Sequence, residues 1–291
     1  MKFPPIENRS VLVTGCSSGI GLATAELLRE KGWQVFPTAR KLDDLDALRQ
    51  AGFDPVTLDV ASSESIELAT EWVLTKNGGK LGAVVNNAGF GMPGAIEDLS
   101  RESMRAQFEV NVFGLQELTN RLIPVFRAQG GGRIINVSSV VGRLSLPFMG
   151  IYSASKFALE AMSDALRVEL SQDQIAVALI EPGPIRTQFS TNCAGQGEER
   201  LDVQKSRFGG AYKKYFMKRR DGGMSEDRFR LPPEAVAKKI LHALESPRPK
   251  IRYCVTIPAY LGSWAARFAP AGLLDRQLTK HVKKRFGSVS K

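Results

Sequence analysis

The chain has 291 residues, 43% of them apolar, and a formal net charge of +10, which is enough apolar content for one large core without covalent staples. Three widely spaced cysteines, Cys16, Cys193 and Cys254, and only two histidines exclude a disulfide framework and a cysteine–histidine metal site. The longest uncharged stretch, 253–266, is interrupted by Pro258 and falls short of the roughly 20 apolar residues of a membrane-spanning helix, and residues 1–10 lack an apolar signal core, so a cytoplasmic protein is expected.

In chain order, short apolar or β-branched runs alternate with longer stretches whose apolar residues recur at three- and four-residue steps. Strands are predicted over 10–14, 34–39, 55–58, 81–86, 133–138 and 175–181, and helices over 20–31, 42–51, 63–76, 101–127 and 152–171. This alternation predicts an α/β fold, a Rossmann-type doubly wound parallel sheet in a single catalytic domain over 1–257. After Pro182 a segment rich in Gly and charge reads as a mobile substrate lid over about 184–230, too long for a simple connection. Pro232 and Pro233 then open another helix, and a last strand is predicted over 251–257.

A basic amphipathic C-terminal tail, 258–291, follows as a helical extension. Leu261, Trp264 and Phe268 fall at helical spacing, and after Pro270 so do Leu274, Leu278 and Val282, with Arg276, Lys280, Lys283, Lys284 and Arg285 interleaved. Such stripes lie on an anionic membrane surface as a peripheral contact, or pack on the protein's own body or a partner subunit. The net charge also suits a phosphorylated small molecule or a merely solvated face.

Within this frame four motifs carry chemistry. The first strand leads into Thr14-Gly15-Cys16-Ser17-Ser18-Gly19-Ile20-Gly21, where small residues at a strand-to-helix turn let backbone amides approach a pyrophosphate, although glycines also serve tight turns for structural reasons alone. The second strand ends in Ala39-Arg40-Lys41. Ala39 stands where an NAD enzyme presents an acid to the ribose 2′-hydroxyl, and Arg40 suits a 2′-phosphate, so NADP(H) is the expected cofactor. After the fourth strand, Asn87, Ala88 and Gly89 are small or carboxamide residues able to lie along an adenine ribose.

Near the end of the fifth strand stands Ser139, and 13 residues beyond it comes Tyr152-Ser153-Ala154-Ser155-Lys156. The four-residue step puts Tyr152 and Lys156 on one helix face. An ammonium beside a phenol favours phenolate and is expected to lower the tyrosine pKa towards working pH.

TGCSSGIG, NNAG, Ser139, YSASK and Pro182-Gly183, together with Asn111, resemble the single-domain short-chain dehydrogenase/reductase family over about 10–189. GFGMPG and EPGPIRTQF resemble its branch of hydroxysteroid dehydrogenases, retinol dehydrogenases and bacterial NADP-dependent aldehyde reductases. The resemblance implies that Ser139 bonds the substrate oxygen, Tyr152 donates the proton, Lys156 binds nicotinamide ribose hydroxyls and Asn111 holds a relay water. It also places Pro182 and Gly183 along the nicotinamide, Thr187 on its carboxamide, and Asp59, followed by Val60, at the adenine amino group.

The activity so implied is reduction of an aldehyde or ketone by NADPH, or the reverse oxidation, with no metal. Phe90, Met92, Leu146, Phe148, Met149 and Phe189 lie near these motifs and predict an apolar pocket, for long-chain aldehydes, retinoids or hydroxysteroids. The family resemblance implies a homodimer through the helices 101–127 and 152–171; no nucleic-acid partner is expected. The rival reading is a non-catalytic NADP-binding sensor or scaffold on the same fold, against which the intact Asn111, Ser139, Tyr152 and Lys156 set argues.

Overall fold

The computed structural model describes residues 2–220 and 229–286. Its strands are β1 (Ser10–Val13), β2 (Gln34–Ala39), β3 (Val56–Thr57), β4 (Ala83–Asn86), β5 (Gly132–Val137), β6 (Ile175–Pro182) and β7 (Arg252–Val255). They form one parallel sheet in the order β3-β2-β1-β4-β5-β6-β7. The helices are α1 (Gly19–Glu30), α2 (Leu42–Gln50), α3 (Ser63–Lys76), α4 (Arg101–Phe108), α5 (Leu115–Ala128) and α6 (Gly150–Glu169). Beyond β6 come α7 (Phe189–Arg200), α8 (Gly209–Arg220), α9 (Glu234–Glu245), α10 (Ile257–Phe268) and α11 (Ala271–Phe286).

Every residue of β1, β4, β5 and β6 is buried, because a parallel sheet covered on both faces has no wet side and its strands become continuous apolar runs. Val11, Val13, Ile135 and Ile180 face one layer with Leu28 of α1 and Ile240 of α9. Leu12, Val84, Ile134 and Val177 face the other, with Ile66 of α3 and Leu118 and Leu122 of α5. Because the strands run parallel, their C-terminal ends share one edge of the sheet.

Two expectations are corrected. The helix predicted over 101–127 is not continuous: between α4 and α5, Glu109–Gly114 widens into π-helical turns. The widened segment ends in a close backbone contact that only glycine permits, since a Cβ on Gly114 would lie 1.6 Å from the carbonyl oxygen of Val60. The widened turn, a feature common at functional sites, buries Asn111 completely.

The segment read as an irregular lid is also helical where it is described, as α7 and α8; residues 221–228 of it lie outside the described residues. Its glycines weaken intrinsic helix propensity, but burial supplies what propensity lacks. Ala194, Leu201 and Tyr212 pack with Met92, Leu99 and Ile151. The Tyr212 hydroxyl bonds the Asp98 carboxylate and accepts from the Ala95 amide at 2.8 Å, while Ser206 Oγ donates to Asp98 at 2.6 Å.

In the C-terminal extension the two apolar stripes behave differently. Leu274, Leu278 and Val282 of α11 are half-buried, and α11 touches α8, whereas Leu261, Trp264 and Phe268 of α10 are exposed. The last residues of the predicted tail, 287–291, lie outside the described residues. Among the described residues no helix is long and apolar enough to cross a membrane.

Candidate active site

The strand order reverses on either side of β1 and β4, and open α/β sheets bind ligands beyond the strand ends at such a point. There, Thr14 Oγ1 accepts from the amides of Asn87 and Ala88, both at 2.9 Å, and Asn87 Nδ2 donates to the carbonyls of Thr14 at 2.9 Å and Gly15 at 3.1 Å. The Gly15 amide is 3.3 Å from Thr38 Oγ1 of β2. Three strand ends are thereby tied around the glycine-rich turn.

Gly15 has φ +73°, and a Cβ on Gly21 would sit 2.1 Å from the Gly15 carbonyl oxygen, so this turn can close on α1 only with hydrogen at both positions. Ile20 packs on the core beneath. Ser17 and Ser18 are exposed, and Ser18 makes no side-chain cap bond to α1. The first amides of α1 are therefore donors awaiting an acceptor, the arrangement that suits a phosphate. Across the turn lies Thr187, whose Cγ2 is 3.0 Å from the place of a Gly19 Cβ, while Gly183, just after Pro182 closes β6, lies against Thr256. The residues present fit a dinucleotide.

Beyond β2, Arg40 is exposed and its Nη1 stands 3.9 Å from Asp59 Oδ2, too loose and wet a pair to hold it firmly. Asp59 Oδ1 accepts from the Ala61 amide at 3.0 Å. Val60 is buried beside it.

The catalytic candidates converge on α6. Tyr152 is buried, Ser139 acts on its hydroxyl, and its ring lies 5.5 Å from that of Phe189. Burial pushes its pKa above the ordinary value, and the nearby Cys193 adds to this while the Ser139 hydroxyl opposes it. Lys156 Nζ donates to the Val137 carbonyl at 2.9 Å and lies 5.9 Å from the centre of the Tyr152 ring. Burial pushes Lys156 down to about 8, with the charge of Glu160 opposing. The expected lowering of the tyrosine pKa by lysine is not what this arrangement gives: desolvation raises the phenol, and the ammonium's hydrogen bond goes to the strand end.

Asn111 locks a loop. Its Oδ1 accepts from the Phe90 amide at 3.1 Å, and its Nδ2 donates to the Phe90 carbonyl at 3.0 Å and to Ser155 Oγ at 3.1 Å. Gln107, one turn earlier, bonds the Phe90 carbonyl at 2.8 Å and the Met92 amide at 2.7 Å. Gly89 stands between, a Cβ there lying 3.1 Å from Asn111 Oδ1 and 3.8 Å from Lys156 Nζ. Ser139 Oγ makes long bonds, donating to Pro182 O at 3.4 Å and accepting from the Val141 amide at 3.3 Å.

Of the six apolar residues, Met149 and Phe189 meet Cys193 over Gly91, all within 3.2 Å of a Cβ built there. Phe90 is half-buried beside them, and Leu146 sits half-buried on the turn before α6, its amide 3.4 Å from Ser153 Oγ. Met92 is fully buried in the cluster under α7 and α8, and Phe148 stands edge-on to Phe208 at 5.2 Å. Sequence reasoning passed over Gln107, Ser155, Thr14 and Cys193. The signals were there: Gln107 precedes Asn111 by four residues, and Ser155 is a polar residue on the buried side of α6.

A parallel doubly wound sheet with a phosphate turn at its switch point, and a tyrosine, serine and lysine beside it, defines an NAD(P)-dependent oxidoreductase that interconverts carbonyl and alcohol groups. Residues 9–196 match the short chain dehydrogenase family model, and the chain belongs to that family.

It is 42% identical over 273 residues to the oxidoreductase YbbO of Escherichia coli (strain K12), spanning 94% of this chain and 95% of that protein. It is 34% identical over 284 residues to the NADPH-dependent 3-dehydrocapnine reductase of Ornithobacterium rhinotracheale, spanning 95% and 98%. Among solved structures it is similar to a short chain dehydrogenase/reductase of Burkholderia phymatum in complex with NAD, with a TM-score of 0.77 at 25% identity over 95% and 96% of the two chains. Another, from Burkholderia cenocepacia J2315 in complex with NADP, gives 0.72 at 26% identity over 94% and 99%.

The Lys156 environment has a measurable consequence. Its pKa falls from an ordinary 10.5 to about 8, so at every pH below about 8 the folded protein carries a buried ammonium, and this cost fades as pH rises from about 8 towards 10.5. In the absence of dinucleotide, Lys156→Met should be more stable than the native protein at pH 7, by on the order of 1–3 kcal/mol. The difference should shrink at pH 10, as read from urea midpoints; equal pH dependence in both proteins would contradict the buried-ammonium description.

Proposed function

We propose that the chain is an NADPH-dependent carbonyl reductase, reversible as an alcohol dehydrogenase, acting on apolar aldehydes, retinoids or hydroxysteroids, the substrates of the branch its motifs resemble. The observation that carries the reading is the buried Tyr152 phenol, influenced by Ser139 and walled by Phe189, with Lys156 one helical turn away. A sensor or scaffold has no use for a phenol so placed.

Gly15, Ser17, Ser18, Gly19, Ile20 and Gly21 would hold the pyrophosphate of the dinucleotide, Asp59, Val60, Asn87, Ala88 and Gly89 its adenosine, and Pro182, Gly183, Thr187, Tyr152 and Lys156 its nicotinamide half. When bound, that group supplies the hydride. The chain supplies the rest. Ser139 donates a hydrogen bond to the carbonyl oxygen, polarising it, and Tyr152, kept protonated by its burial, gives its proton to that oxygen as negative charge develops. Lys156, with a pKa of about 8, is poised to return a proton to the phenolate. Asn111 fixes Phe90 and Gly89 beside Lys156, and the apolar wall of Phe90, Leu146, Met149 and Phe189 excludes water; Met92 and Phe148 back it from beneath.

Preference for the phosphorylated cofactor rests on Arg40, an exposed guanidinium with a loose carboxylate neighbour at 3.9 Å and no acid at Ala39. With a long-chain aldehyde, kcat/KM should be higher with NADPH than with NADH, and Arg40→Ala should lower the NADPH value by about 10–100-fold while leaving the NADH value nearly unchanged. A native preference for NADH, or faster reduction of small charged carbonyls than of apolar ones, would overturn this part.

The same reading includes a homodimer. Phe113 between α4 and α5, and Phe157 and Val168 of α6, are large and exposed, on the two segments expected to pair. Light scattering at micromolar concentration should give twice the 31.9 kDa of one chain; a single-chain mass would contradict it.

A further inference from the structure

We propose that the outer face of α10 is a docking surface for an anionic lipid bilayer, placed to bring apolar substrate to the active site. Ile257, Tyr260, Leu261, Trp264 and Phe268 recur at steps of three and four residues, which puts them on one face of the helix. All are exposed, Leu261 by 63%, Trp264 by 63% and Phe268 by 64%. The opposite face already has its partners. Ala259 is fully buried, a Cβ on Gly262 would meet Val140 at 2.8 Å, and Ser263 Oγ donates to the Glu181 carboxylate at 3.3 Å. The apolar outer face is thus surplus to the fold, and continuous exposed apolar surface of this kind marks an interaction site.

Its chemistry selects the occupant. Tyr and Trp are the residues that sit at the boundary between hydrocarbon and headgroups, and Trp264 and Phe268 form one aromatic pair with ring centres 5.7 Å apart. The rim is cationic. Arg267 lies over the edge of the patch, 6.0 Å from the Phe268 ring centre, and Lys239 of α9 lines a shallow groove with Ile257 and Tyr260. The sequence of α10 holds no acid, and on α11 Arg276, Lys280 and Lys283 are exposed with Asp275 as the one acid of that helix. An anionic lipid surface complements this pattern, whereas a second copy of the same face would bring like cations to one interface.

The docking element is α10 rather than the more basic α11, whose own stripe is half-buried. Position gives the contact its use. Thr256, the N-cap of α10, lies against Gly183, and Val140, under Gly262, is the neighbour of Ser139. The inner face of α10 thus lies beside the segment that carries Ser139, one of the residues that would meet a carbonyl. This delivery role rests on the reductase reading above; the docking itself does not.

The test uses the full chain with vesicles of phosphatidylglycerol and phosphatidylcholine, and with phosphatidylcholine alone. Native protein should co-sediment with the anionic vesicles, less at high salt, with a blue shift of its tryptophan fluorescence. The double variant Leu261→Ser, Trp264→Ser should bind about tenfold or more weakly, yet reduce a water-soluble aldehyde at the native rate, which shows that it is folded. Equal co-sedimentation of variant and native protein would overturn the proposal. So would native protein that ignores vesicles but forms a self-associated species which the variant abolishes, since the face would then belong to a second copy. Vesicle binding lost in the variant, with no carbonyl reduced by either protein, would sustain the docking surface and sink the reductase reading instead.

Discussion

A lysine ammonium is buried in this protein, and the surroundings of Lys156 show how the fold tolerates it. Burying a charge is costly unless hydrogen bonds and opposite charge attend it. The end of β5 supplies the Val137 carbonyl at 2.9 Å, and Glu160, one turn further along α6, supplies negative charge that opposes the fall of the Lys156 pKa. Glu160 is itself buried, which raises its pKa, and it is held by Arg252 of β7 at 3.0 Å. Arg252 also bridges Asp164 at 2.6 Å and Glu181 at 3.2 Å. Positions 152, 156, 160 and 164 share one face of α6, so one helical register sets the phenol, the ammonium and its counter-charge. The same desolvation that weakens the ammonium keeps the phenol protonated.

The opposite wall depends on a backbone contact that no side chain could make. With hydrogen alone at Gly114, the helix after α4 can press on the Val60 carbonyl and widen. The widened turn brings Asn111 to Phe90, and Gln107 completes the hold on the loop through Met92. Thr14 does the equivalent for Asn87 and Ala88. Loops that would otherwise wander are fixed by buried side-chain bonds to their backbone, which is how a scaffold of strand ends becomes a site with defined geometry.

The parts of this arrangement that were legible in the sequence were those with a strong period or a motif of fixed spacing. Buried strands appear as apolar runs, and β2 was read to its residue because Gln34–Ala39 stands between a glycine-containing turn and a charged one. The Tyr152–Lys156 step was visible, but its electrostatics were not, because desolvation depends on chains that pack from other elements, such as Phe189. The π-helical turns escaped notice since one extra residue per turn leaves a three- and four-step apolar pattern intact. The helices α7 and α8 escaped because their glycine content speaks against them locally, while tertiary contacts such as those to Met92, Leu99 and Ile151 and the bonds of Ser206 and Tyr212 to Asp98 speak for them. In the tail, periodicity showed two stripes but not that one faces α8 and the other solvent.

Tyr152 is proposed to supply the proton to a carbonyl oxygen in a site that binds the dinucleotide independently of that proton. This role is tested most directly by comparing native protein with Tyr152→Phe in two readings on the same samples: NADPH affinity by fluorescence titration, and turnover of a long-chain aldehyde by nicotinamide absorbance. Affinity should stay near native while turnover falls by about 10²–10⁴-fold. A variant that binds NADPH normally and reduces the aldehyde at the native rate would contradict it.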